Sequence, residues 1–395
     1  MKLRNYFYYS LLSLSLFGLA LSGKPATGQG IGGLTTPPPN VSVKVEPEEN
    51  GKVVYAPIAA GTYDNSGSDD GAHLALKLLV TNQGAGTLHL KTTIVTFAGP
   101  PFAAGAVFDT DKQIAPGKTV EVHLQDNVAI PDKNFNFQLS YPPPPIVIIK
   151  LKFSGYNEPF SLSRQLAAHR NAPPLGAYLF PGKVADLNPG EFWAGRSNSI
   201  TSGHGSDQRF AYDMGIGKWD PALNDWTDKK PGTDGSKNED YLVWEKPIYA
   251  GATGVVEDVV RDNPDHEPGG EGPGNKIVIR IGNELLGYFH LRQNSVPAAL
   301  APGSPVAAGQ FIGRAGDSGS SSHPHLHMHV VNLPMGQTST HLRPLLFRGI
   351  KLVERTELDP NNFAAAPWLS TGIAGKSLPW VKIAIWPALT VPGTY

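Results

Sequence analysis

The chain has 395 residues, enough for two ordinary domains with separate cores. Its 33 basic and 34 acidic side chains give a formal net charge of -1 at pH 7, so it has no basic footprint of the kind that nucleic acid selects. With no cysteine it can form neither disulfides nor thiolate metal ligands, and 44 Gly, 36 Pro and 17% charged residues point to a loop-rich, mainly β chain rather than a helical bundle.

The chain opens on "MKLRNYFYYSLLSLSLFGLALSG", with Lys2 and Arg4 ahead of an apolar run from Tyr6 to Leu21 and then small residues. That is the layout of a secretory signal peptide, expected over residues 1–28, and the run is short and Ser-containing for a membrane span. The expectation is an exported protein, periplasmic or extracellular, with no stable span once the signal is cleaved. A single N-terminal anchor is the competing reading. Residues 29–40, rich in Gly, Pro and Thr, read as a linker.

Residues 41–155 hold short β-prone runs such as "HLALKLLVTNQG", "TLHLKTTIVTF", "KTVEVHLQD" and "PPIVIIKLKF", set apart by Gly, Asn, Asp and Pro. Clear alternation in "TVEVHL" and hairpin-like spacing predict an immunoglobulin-like β-sandwich. It is expected to fold alone and to supply no catalytic group. His73, His89 and His123 stand singly there and read as strand-face residues. Residues 156–174 form a connector ending at Pro173 and Pro174. Strands joined by Gly-rich turns follow over 175–350, and the apolar, Pro-rich tail 351–395 is expected to pack on that second domain.

The stretch "SSHPHLHMHV" places His323, His325, His327 and His329 on alternate positions. In a strand these imidazoles share a face, roughly 6 to 7 Å from one to the next, which gives a row of nitrogen donors. Histidines also cluster on solvated faces and in loose metal-binding tracts, but this run sits between "GQFIGRAGDSGSSS" and "VVNLP", an ordered-looking context. Catalytic zinc sites take three protein ligands and keep one position open, and a single strand cannot converge three side chains on one ion. Partners must come from elsewhere. The candidates are His204 with Asp207 or Asp213 in "GHGSDQRFAYDMGI", and His290 in "LGYFHLRQN".

From about Gly203 to Asn332 the chain resembles the lysostaphin/LytM-type zinc metallopeptidases, which cleave peptide bonds in bacterial cell-wall peptidoglycan. The resemblance runs through "YDMGI", "KPIYAGATGVVEDV", "GPGNKIVIRIGNELLGYFHL" and "APGSPVAAGQFIGRAGDSGSSSHPHLHMHV", in the family's order. It implies a C-terminal β-rich peptidase domain with Zn2+ held by His204, Asp213 and His327. It further implies that His290 and His325 stand beside the metal, orienting water and steadying the developing oxyanion. Eight residues separate His204 from Asp213, more than in many relatives, so Asp207 is a rival ligand. His329 stands where an acidic residue often follows and His323 is extra; both are expected to support the site or face solvent. Asp317 and Ser318 are expected to make the tight turn into the histidine strand. His169, His266 and His341 match nothing in the family.

The function implied is an exported zinc endopeptidase acting on peptidoglycan cross-bridges or stem peptides. Two alternatives stand beside it: a noncatalytic regulator of other wall hydrolases, and a secreted zinc peptidase acting on proteins outside the wall.

Overall fold

Alternation of apolar and polar residues sets the architecture. In Ile146–Phe153 the burial alternates along "IVIIKLKF", so Val147, Ile149, Leu151 and Phe153 face inward while Lys150 and Lys152 face water. The same logic recurs throughout the chain. In a computed structural model that describes residues 39–58, 71–100, 106–122, 136–140, 143–169, 177–197, 206–223, 225–336, 339–348, 350–354 and 383–387, every regular element is a β-strand or a one-turn 3-10 helix. The protein is mainly β. The expected signal peptide and most of the linker, together with His123 and His204, lie outside the described residues. Among the described residues no helix is long and apolar enough to cross a membrane.

The N-terminal region contains two sheets. One has three antiparallel strands, Val41–Glu46, Lys77–Asn82 and Thr119–Val122. The other orders Ala106–Ile114, Leu88–Ala98, Ile146–Phe153, Phe160–Ala168, Lys52–Ile58, Gly71–Ala75 and Asn136–Ser140, with one parallel pairing between Phe160–Ala168 and Lys52–Ile58. Both sheets contribute to a single buried cluster that includes Val45, Leu78, Val80, Leu90, Ile114 and Ile149.

The C-terminal region is built on one large sheet. Its order runs Pro305–Val306, Gly254–Val260, Lys276–Ile281, Glu284–Phe289, Leu326–Asn332, Tyr212–Asp220, Glu191–Ser197, Ile383–Pro387 and Ile350–Glu354. The tail thus adds two strands to this sheet through Ile383–Pro387 beside Glu191–Ser197. The apolar face of the Leu326–Asn332 strand carries Leu326, Met328 and Val330 into a core shared with Ile277, Ile279, Leu286 and Tyr288. His327 and His329 are thereby left for the opposite face.

Both regions belong to one compact unit, Pro37–Tyr395. They meet through a small apolar cluster of Ala56, Ala75, Phe210, Leu342 and Leu346, and through charges that are mostly buried. Lys77 lies 2.6 Å from Asp207, and the Glu46 carboxylate takes the Leu342 amide and pairs with His341 at 2.7 Å. Arg343 bridges Glu49 and Glu284, Tyr178 donates to Glu284, and His169 meets Glu49 at 2.6 Å. Two histidines without a counterpart in the family, His169 and His341, are thus part of this seam.

Burial alone would raise the Glu46 carboxyl, but Lys44, the Leu342 amide, Lys77 and His341 outweigh it and hold the group below its ordinary value of 4.5. A depressed folded pKa contributes stability that is complete above the unfolded value and fades as pH falls through the folded one. Glu46→Gln should therefore lower the unfolding free energy at pH 7, with the deficit shrinking below about pH 4.5. Urea denaturation of both proteins at pH 7 and pH 3.5 checks this; a deficit of equal size at both would contradict it.

Candidate metal centre and groove

The Tyr212–Asp220 and Leu326–Asn332 strands pair antiparallel with Asp213 directly opposite His327. Directly opposed residues point to the same face, their Cβ atoms about 5 Å apart. The Asp213 carboxylate Oδ1 lies 2.9 Å from His327 Nδ1 and 3.6 Å from His325 Nε2. The row of imidazoles foreseen from the sequence is present: ring centres are 5.7 Å apart for His323 and His325, and 5.2 Å for His327 and His329. The strand itself begins at Leu326. His325 is joined to Gly316 by an isolated bridge, and His323 precedes it in the turn.

His290 arrives by a different route. It follows the Glu284–Phe289 strand, and an extended continuation would point it away from the face that Phe289 occupies. Instead its backbone takes φ 58°, a left-handed conformation uncommon for a residue with a side chain. The ring swings onto the histidine face, with its centre 4.6 Å from that of His325 and 5.8 Å from that of His327. Phe289 stays on the same face, stacked on His329 at 4.8 Å and 10°. A Cβ on Gly287 would stand 2.4 Å from the Phe289 ring, so only glycine lets the ring lie there.

Carbonyl oxygens fix the tautomers, because they can only accept. His290 Nδ1–H donates to the Ser318 carbonyl at 2.7 Å, and His325 Nδ1–H to the His323 carbonyl at 2.8 Å. In each ring Nε2 is the atom free to take or give a proton. Burial, reinforced by the neighbouring His325 and His327, pushes His290 down to about 3, so its ring is neutral at neutral pH. Burial also opposes protonation of His325, yet Asp213, the His323 carbonyl and Asp317 outweigh it and the net shift is upward.

Asp213, His290 and His325 border a cavity of about 460 Å³ whose wall also includes His323, Asp228 and Glu271, while His327 is buried behind Asp213. Asp228 and Glu271 carry no signal in the sequence; they are brought here by the fold. His323 stacks on Tyr241 at 5.4 Å and stands 4.0 Å from Asp228. The loop bearing Glu271 is tied down by Asp265, which accepts the Gln293 and Asp317 amides at 2.8 Å, and by His266, which bonds to the Gly319 carbonyl.

Asp207 is engaged elsewhere. One of its oxygens pairs with Lys77 and the other accepts from Thr340, so neither is left for an ion. Asp213 is the carboxylate that faces the imidazoles. Donor atoms on a tetrahedral zinc with bonds of about 2.0–2.1 Å stand about 3.3 Å apart, a separation that Asp213 Oδ1 and His327 Nδ1 approach. An imidazole and carboxylate set without thiols also suits zinc. The residues present therefore fit two of the three expected ligands, and the third, His204, is outside the described residues. Among the described residues, no group of three or more His, Asp or Glu is gathered as a complete metal cage.

The model of Peptidase family M23 matches residues 239–341, a span that takes in His290, the Asp317 turn and the histidine strand but starts after Asp213. That matched segment is the one in which most of the lysostaphin/LytM-type motifs lie. Two solved structures show a distant likeness: a zinc containing peptidase from Vibrio cholerae, 13% identical over 70% of this chain and 81% of that one, with a TM-score of 0.23, and Helicobacter pylori Csd3, 13% identical over 69% and 72%, also with a TM-score of 0.23. Likeness of that degree assigns no role to any residue here. No curated relative matches the chain.

Asp317 sits behind this face, fully buried, with Ser321 close by, His266 Nδ1 3.8 Å away and no well-formed hydrogen bond to either carboxylate oxygen. Burial pushes its carboxyl up to about 6, against the opposing pull of Ser321, His266 and His325. With the folded pKa raised, the cost of ionising it in place grows as pH rises from about 4 and is complete above about 6. Asp317→Asn should accordingly unfold at higher urea than the wild type at pH 7.5, and the gain should vanish near pH 4. A variant less stable than wild type at pH 7.5 would contradict the assignment of a desolvated charge.

Proposed function

We propose that the protein is an exported zinc metalloendopeptidase that hydrolyses peptide bonds in peptidoglycan cross-bridges or stem peptides. The observation that carries the reading is the clustering of Asp213, His325 and His290 at one cavity, with His327 buried against Asp213 behind its wall, all but Asp213 lying in the segment that matches Peptidase family M23. Asp213, His327 and His204 would hold the zinc. A bound zinc supplies Lewis acidity toward a carbonyl and brings the pKa of water down toward about 7.

The chain's own residues do the rest. With an ion in place, His327 directs its Nε2–H at His329 Nδ1, 3.0 Å away, and keeps the Nδ1 lone pair for the metal. His329, held flat against Phe289, is then the group that orients the ligand, a role finer than the sequence suggested. His325 and His290 present Nε2 to the cavity with their Nδ1 protons committed to backbone carbonyls. Each can accept or return a proton at Nε2 without rotating its ring. The substrate strand would lie along the cavity beside Asp228, His323 and Glu271. Export follows from the N-terminal apolar run read as a signal, and the even charge balance gives no reason to invoke nucleic acid.

Metal analysis should find one zinc per chain, lost or much weakened in His327→Ala and Asp213→Ala. His290→Ala and His325→Ala should retain the zinc while losing on the order of a hundredfold or more in kcat, the scale of general acid–base catalysis. Digestion of purified peptidoglycan, with identification of the new peptide ends, tests the substrate. A zinc-loaded protein that releases no new ends but activates another wall hydrolase would replace this reading with that of a regulator.

A further inference from the structure

The short stretch that feeds Asp213 into its strand is held from two sides, by the histidine sheet with its Thr340 and Leu342 neighbours and by side chains of the N-terminal region. Residues 206–211 form a one-turn 3-10 helix, Ser206–Gln208, and then enter the Tyr212–Asp220 strand. Three side chains in this stretch reach across the seam. Asp207 pairs with Lys77 at 2.6 Å. Arg209, wholly buried, donates to the Leu76 carbonyl and has Glu121 at 3.9 Å. Phe210 packs with Ala56 and Ala75, alongside Leu342 and Leu346.

Lys77 is the hub of this arrangement. Its ammonium, on a side chain only 7% exposed, serves Asp207 at 2.6 Å, Glu46 at 3.7 Å and Glu121 at 3.8 Å. Without it, Glu46 would keep Lys44 and His341, Glu121 would keep only Arg209 at 3.9 Å, and Asp207 would keep the Thr340 hydroxyl but no cation in a partly buried seam. Of the three carboxylates, Asp207 sits on a one-turn helix, whereas Glu46 and Glu121 sit in paired strands, so loss of Lys77 would be felt most at Asp207, which would keep only its Thr340 bond. Any displacement of that turn is passed along four residues to Tyr212, where pairing with the histidine strand begins.

We propose that Lys77 of the N-terminal β region is a positioning residue for the metal centre: through Asp207 it fixes the stretch that delivers Asp213 opposite His327. The proposal rests on the zinc reading above and gives the N-terminal region a positioning task at the site, beyond the expectation of a domain that folds alone and supplies no catalytic group. Lys77 touches neither metal nor substrate; its effect is carried by backbone placement. Outer partners that orient ligands typically influence metal affinity by about 10- to 100-fold.

The test uses the full chain with Lys77→Gln, which keeps a hydrogen-bond donor and should fold, together with Lys77→Met, Lys77→Arg, and Lys91→Met as a control. Lys91 pairs with exposed Asp111 and takes no part in the ion pairs of the seam. Zinc affinity is measured by competition with a chromophoric chelator, well below the unfolding temperature. In metal-free protein, hydrogen exchange is followed at the Ala211 amide, which is bonded to the Gln208 carbonyl at 2.9 Å. Zinc binding should weaken by at least about tenfold in Lys77→Gln and Lys77→Met. The Ala211 amide should exchange faster in both, and Lys77→Arg and Lys91→Met should stay near wild type. Wild-type zinc affinity and wild-type exchange in Lys77→Gln would overturn the proposal, as would faster exchange with unchanged affinity, which leaves Lys77 a purely structural role. If the wild type itself binds no zinc, the metal reading falls, and unchanged exchange at Ala211 would still refute the positioning of this stretch while faster exchange would uphold it.

Discussion

The centre depends on one cross-strand pair, Asp213 facing His327 across two antiparallel strands. A register fixed by backbone hydrogen bonds places a carboxylate and an imidazole together without either side chain having to search for the other. A slip of one residue would bring Asp213 opposite Leu326 or Met328, both of which face the core, and the two donors would lie on different faces of the sheet. The apolar residues interleaved with the histidines guard against that slip. Leu326, Met328 and Val330 are essentially inaccessible to solvent, so their burial holds His327 and His329 on the opposite face, where His327 is covered by its polar and aromatic neighbours.

This explains how much of the site could be read from the sequence. Period-two alternation is a local property, and within the strand it separates His327 and His329 from the aliphatic Leu326, Met328 and Val330; His325 and His323 precede the strand. Alternation could not place His290, whose presence depends on a left-handed residue at the end of a strand. Nor could it choose between Asp207 and Asp213. That choice depends on Lys77, 130 residues earlier in the chain, which occupies Asp207. Asp228 and Glu271 reach the cavity through long loops, where no periodicity operates. His329 could be seen as extra, but its use as a hydrogen-bond partner of His327 required the stacking on Phe289 and the bare Cα of Gly287 beneath that ring.

The polar arrangement around the cavity is equally specific about where protons can reside. Both candidate acid–base rings spend Nδ1 on backbone carbonyls that belong to the turn and segment preceding the histidine strand, Ser318 for His290 and His323 for His325. Ser318 also receives the Asn275 amide and donates to the Leu291 carbonyl, which makes the turn a rigid block between the two strand ends. Main-chain carbonyls thus take the Nδ1 proton of each ring, while Asp213 approaches His325 from the Nε2 side at 3.6 Å. This differs from a triad in which a carboxylate orients the base.

The seam between the two regions presents the opposite design, with ion pairs where an apolar contact could have served. Buried charge pairs often contribute little net stability compared with well-packed hydrophobic residues, whereas loss of one partner is costly. Lys77 among Glu46, Glu121 and Asp207, and Arg343 between Glu49 and Glu284, are therefore better understood as devices of placement than as adhesive. An apolar patch tolerates sliding by a fraction of a residue, while an ammonium 2.6 Å from a carboxylate does not. The small cluster around Phe210 is the only apolar cluster among the described residues that joins the regions, and it is too limited to fix their register by itself. Directional ionic contacts supply what that cluster lacks, at the point where the chain turns toward Asp213.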